Sequence, residues 1–158
     1  MSQSGGFDWS KMSTASRILI IAGALYIIDL FLPWQSADLG PIGTFTVNGV
    51  HGIGVLNLLL AIALVGWEVM AIAGVEINAP KSLISAALAG GIVLFTILKI
   101  IVDSEAIAIF AWIGLILALV IGYGGWMRWQ EHQASGGGMG GGSTGGTAPP
   151  PMPGGPSA

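Results

Sequence analysis

Cysteine is absent from this chain of 158 residues, which removes disulfides, thiolate metal sites and cysteine nucleophiles at once. Charge is scarce as well. Asp, Glu, Lys and Arg make up 8% of the residues, against roughly 25% in soluble domains, so a surface facing water on all sides cannot be built from this stock. Histidine occurs only as His51 and His132, too rarely for a histidine metal site without carboxylate help. The net charge is -3 and the five basic residues are scattered, which argues against a nucleic-acid partner. G-x-S-x-G, H-E-x-x-H, phosphate-loop and dinucleotide fingerprints are missing too, so neither an enzyme nor a cofactor is expected.

Apolar length is what the chain has instead: 53% of its residues are hydrophobic. About 20 apolar residues cross a hydrocarbon core of roughly 30 Å, and four runs approach that length, at about 17–32, 53–75, 83–102 and 106–126. In lipid only closed helical hydrogen bonding satisfies such backbone. The expected fold is therefore all-α, a polytopic membrane bundle over residues 13–133 with a short segment, 1–12, before it. Gln35 and Ala37 make a poor signal-peptidase site, so the first run is taken as a span. Ser13 or Thr14 offers a cap for it, while Pro80 and Ser82 are expected to end one helix and cap the next. From residue 134 the chain becomes ASGGGMGGGSTGGTAPPPMPGGPSA, which cannot bury a core and reads as a disordered tail. Its PPPMP carries a P-x-x-P spacing suited to an aromatic groove.

Orientation follows from the basic residues. Lys11, Arg17, Lys81 and Arg128 fall on one side and Lys99 alone near the other, so both termini are expected in the cytoplasm. Trp9, Trp34, Trp126 and Trp129 stand where interfacial rings are expected. The outer loop, residues 33–52, holds Gly-Pro and Asn-Gly turn signals around an alternating TFTV, which fits either a short hairpin or an irregular loop.

Charges at membrane depth carry the functional candidates. Asp29 and Lys99 each lie about 6–7 Å inside the same outer boundary at 1.5 Å per residue, which makes them a candidate ion pair; a proton relay is the alternative. Glu68 sits roughly 12 Å inside the inner boundary with no cation expected at that depth, so its carboxyl should be neutral unless a partner is supplied. Asn57 lies eleven residues earlier and only about 20° away on a helix, so Asn57 and Glu68 form one candidate polar stripe. Gly114, Ala118 and Gly122 recur every four residues, a face on which helix backbones approach closely, within the bundle or between copies.

The stretch KMSTASRILIIAGALYIIDLFLPW, followed by VNGVHG, resembles a group of small actinobacterial membrane proteins. Those share an S-T…R start, an F-L-P-W end to the first span, four spans and a Gly/Pro-rich tail. Ser13, Thr14, Arg17, Phe31, Leu32, Pro33 and Trp34 carry the match. The resemblance implies a plasma-membrane location. The expected role is a non-enzymatic scaffold or accessory subunit whose partners are the bilayer, other membrane proteins or a second copy. The alternative is a small proton, ion or solute carrier or channel working through Glu68 and Asn57.

Overall fold

The computed structural model describes residues 12–75, 79–104 and 107–134. The segment before residue 12, Glu76 and the Gly/Pro-rich tail after residue 134 lie outside them. The described chain is mostly helical: α1 (Thr14–Leu30), α2 (Gly54–Ile72), α3 (Lys81–Val102) and α4 (Ile109–Ala134), with β1 (Pro33–Asp38) and β2 (Thr44–Asn48) between α1 and α2. By length and composition α2, α3 and α4 are able to cross a membrane. α1 has 17 residues, about 25 Å of helix, somewhat short of a full hydrocarbon core of roughly 30 Å.

Each helix buries a seam. It runs through Ala15, Leu19, Ala22, Tyr26 and Asp29 on α1, which also buries Ser16, Gly23 and Leu30 beside it; Gly54, Asn57, Ala61, Leu64 and Glu68 on α2; Ser85, Ala89, Ile92, Thr96 and Lys99 on α3; and Ala111, Gly114, Ala118, Ile121 and Gly125 on α4, with Gly124 beside it. All four step by alternating threes and fours, the period that winds helices around one another at a shallow angle. α1 and α3 each pack on both α2 and α4, so α1 faces α3, and α2 faces α4, across the axis of the bundle.

Polarity is inverted relative to a soluble bundle. Ser16, Asp29, Asn57, Glu68, Ser85, Thr96 and Lys99 are buried, whereas Ile28, Leu59, Leu94, Ile101, Ile116 and Leu119 are exposed. An apolar exterior of this extent marks a surface made for a partner or for lipid.

Helix ends depart from expectation for local reasons. Ser13 caps α1, its Oγ accepting from Ser16 N–H at 3.2 Å. α2 stops at Ile72 rather than near Val75, because Gly74 takes a positive φ of 74° and Val75 N–H bonds back to Met70 O at 3.3 Å, a glycine-stopped end. Ser82 does not cap α3; Pro80 holds that position. α4 runs eight residues past Trp126, to Ala134.

The 33–52 loop is a hairpin with Ser36 opposite Thr46, Ala37 opposite Phe45 and Asp38 opposite Thr44. A register shift between Pro33 and Gln35 turns Trp34 out of the ladder and into the end of the bundle. Trp34 is only 2% exposed, so it is a core plug and not the interfacial anchor its sequence position suggests. Gly49 and Gly114 make room for it: a Cβ on Gly49 would come within 2.7 Å of Trp34 Nε1, and one on Gly114 would overlap the indole ring. The end is strapped down by Val50 N–H to Leu30 O at 3.0 Å and Ala108 N–H to Trp34 O at 2.7 Å.

Candidate functional site

The end of the bundle away from the hairpin gathers one polar side chain from each helix. Glu68, fully buried on α2, uses both carboxylate oxygens: Ser85 Oγ of α3 donates to Oε1 at 2.5 Å, and Arg128 of α4 donates to Oε2 at 2.6 Å. The same guanidinium nitrogen of Arg128 reaches Ser16 Oγ of α1 at 2.5 Å, and its other terminal nitrogen meets Glu131 Oε2 at 3.0 Å. Arg128 is thus the hub of a four-helix clasp. The pair spans the facing helices α2 and α4, so it holds the bundle across its diagonal.

This overturns the expectation that no cation reaches Glu68. Glu68 lies four residues before the end of α2, about 6 Å inside that end. α4 meanwhile continues beyond Trp126 and brings Arg128 to the same level. The seam itself held the signal: Ile121, Gly125 and Arg128 extend the alternation of threes and fours by one more step.

A second polar layer lies nearer the hairpin. Thr96 Oγ1 donates to Ile92 O at 2.7 Å. With its single proton committed there, Tyr26 must be the donor in the 2.6 Å contact between the two hydroxyls. Asn57 Nδ2 approaches the same oxygen at 3.5 Å. The structure therefore buries Asn57 and Glu68 on one face of α2, yet assigns them to different layers with different partners. Tyr26, Thr96, Ser16 and Ser85 were not singled out from the sequence, although all but Ser16 occupy seam positions.

The Asp29–Lys99 ion pair is not formed. Lys99 Nζ turns outward to Asp103 Oδ2 at 2.7 Å and to His51 O at 2.9 Å. Asp29 Oδ2 instead accepts from Trp34 Nε1 at 3.1 Å, and its Oδ1 has no hydrogen-bond partner. Depth and seam both match, and Tyr26 and Thr96 do meet three residues away, but the Trp34 indole fills the space beside Asp29 while Asp103 and His51 O take up the Lys99 ammonium. What the two charges do share is a task. Asp29 seats the tryptophan plug, and Lys99 ties the turn between β2 and α2 to α3.

Gly114, Ala118 and Gly122 also serve packing inside the chain. Gly114 abuts Trp34 and Asp29, Ala118 is fully buried, and a Cβ on Gly122 would lie 2.8 Å from Val93 of α3. Beside them Ala86, Gly90, Gly122 and Gly125 floor an open groove of about 310 Å³ between α3 and α4, walled by Trp126 and Trp129. Gly90 opens onto nothing within 4 Å.

Comparison with protein-family models, with curated proteins and with solved structures found no match.

Proposed function

We propose that this chain is a four-span integral protein of the plasma membrane, with both termini cytoplasmic, that serves as a non-enzymatic scaffold or accessory subunit. The observation that carries this reading is the state of Glu68: it is fully buried and both of its oxygens are engaged by Ser85 and Arg128. A carrier residue must exchange its bond partners with an ion or proton from an aqueous path. Glu68 is instead a clasp, and a chain that invests its deepest charge in holding four helices together is built to be a stable surface. The open groove on α3 and α4, floored by small residues, is the kind of face to which a neighbouring helix can approach closely. A fourth span is supported by α1 packing along both α2 and α4, with Tyr26 reaching Thr96 across the bundle. The resemblance of KMSTASRILIIAGALYIIDLFLPW to the actinobacterial group favours the plasma membrane.

Liposome flux separates this role from transport. The purified chain in sealed liposomes should pass no more protons than empty liposomes under an imposed pH gradient, and Glu68→Gln should leave that background unchanged. Proton flux in the wild type that vanishes in Glu68→Gln would replace the accessory role by transport.

Topology has its own test. A cysteine at Ser36, which is exposed on the hairpin, should react with an impermeant thiol reagent applied to intact cells. A cysteine at Ser143 should react only after lysis. The reverse pattern would invert the orientation.

A further inference from the structure

A second groove, of about 280 Å³, runs between α1 and α4. Its polarity is uneven. Thr14 and Arg17 stand at one end, and beyond them the walls are apolar, with Ile21 and Leu25 of α1 facing Leu117 and Val120 of α4. From Thr14 to Leu25 is eleven residues, about 16 Å of helix rise, and one leaflet of a hydrocarbon core roughly 30 Å thick is about 15 Å deep. The groove is therefore one leaflet long, polar at its mouth and apolar along its run. A partner helix crossing the whole membrane would want a seam twice that length, with no polarity of its own. A phospholipid has the polarity and length that the groove has.

The sign of the headgroup follows from the mouth. Arg17 is one of five basic residues in the chain, and it sits in the first turn of α1. There the positive end of the helix dipole adds to its charge. Arg17 has an interaction of its own within the chain, but a guanidinium carries five N–H donors, enough to serve a phosphate as well. Basic residues between membrane helices on the cytoplasmic side favour anionic headgroups.

We infer that the groove between α1 and α4 holds one anionic phospholipid of the inner leaflet, its phosphate against Thr14 and Arg17 and an acyl chain along Ile21 and Leu25. The inference rests on the membrane placement and orientation proposed above.

The test uses the full chain reconstituted into liposomes of equal parts phosphatidylglycerol and phosphatidylcholine, then extracted in mild detergent, washed, and weighed by native mass spectrometry. The wild type should retain one phosphatidylglycerol in preference to phosphatidylcholine by about fivefold, the factor that one basic residue supplies beside an anionic headgroup. Arg17→Gln should bring that ratio to one, and Arg17→Lys should keep most of it. Ile21→Trp, at a half-exposed position that does not support the core, should fill the groove and lower retention of both lipids. Four results would overturn the site: lipids retained by the wild type in the ratio of the mixture; an undiminished preference in Arg17→Gln; displacement of the lipid by inorganic phosphate alone; or a second copy of the chain released by Ile21→Trp in place of lipid. Alkaline carbonate extraction keeps the two levels apart. A chain that leaves the bilayer refutes the membrane placement, whereas one that stays and retains lipids without preference refutes only the lipid site.

Discussion

Arg128→Met should cost the folded bundle about 3–5 kcal/mol, the usual penalty for stranding one member of a buried ion pair. Glu68→Met should cost nearly as much, because it leaves the Arg128 guanidinium, 17% exposed, with Ser16 and Glu131 but without the carboxylate inside the bundle. The double variant Glu68→Met with Arg128→Met should be far closer to wild type, since two apolar side chains of suitable length replace two charges that had to be desolvated. Thermal unfolding of the four chains in one detergent gives the cycle, and a coupling energy of several kcal/mol is expected for groups in direct contact. Additive losses would show that the clasp is an incidental contact. Accumulation in the membrane should follow the same order.

The size of that effect explains why an acid and a base sit inside a chain with so little charge. Burying the pair alone gains little. The gain lies in specification: among apolar helices, dispersion contacts alone distinguish poorly between rotations of a helix about its axis. Ser16, Glu68, Ser85 and Arg128 come together in one arrangement only, in which all four seams point inward.

The existence of the helices was legible because apolar length is a direct signal, and the seam on α2 was legible because Asn57 and Glu68 are rare polar marks on a hydrophobic helix. Their ends were less so. Hydropathy runs on through Ala73 and Val75, while the backbone stops where Gly74 can turn left-handed. Conversely, MRWQEHQA loses hydropathy after Trp126 but remains helical, and that extension is what carries Arg128 to Glu68. Asp29 and Lys99 illustrate a different limit. Depth and seam position bring two charges to one level but do not tell which neighbours claim them first: Trp34 takes Asp29 and Asp103 takes Lys99. Trp34 was misread for a related reason: an aromatic at a helix end looks the same in sequence whether it floats in the interface or plugs the core. The bulge that turns it inward depends on pairing with β2 and on the glycines that clear its way.

Those glycines give the sharpest separation between a packing face and an open one. Gly114→Ala should destabilise the bundle by about 1–3 kcal/mol or more, the range for forcing an extra methyl into a filled core. Its Cβ would overlap the Trp34 ring and lie 2.6 Å from Asp29 Oδ2. The ring has no retreat, because Gly49 backs it and its Nε1 is held on Asp29 O at 3.0 Å. Gly90→Ala should do the opposite: its Cβ meets nothing within 4 Å, and exchanging a mid-helix glycine for alanine gains up to about 1 kcal/mol. Unfolding temperatures of the two variants beside wild type should therefore move in opposite directions. The identity of the obstruction is checked by Trp34→Phe placed on Gly114→Ala, since the smaller ring vacates the space that the new methyl needs and should recover part of the loss. If Gly114→Ala unfolds at the wild-type temperature, or if Trp34→Phe adds its own full cost on top, the tryptophan is not what α4 closes against.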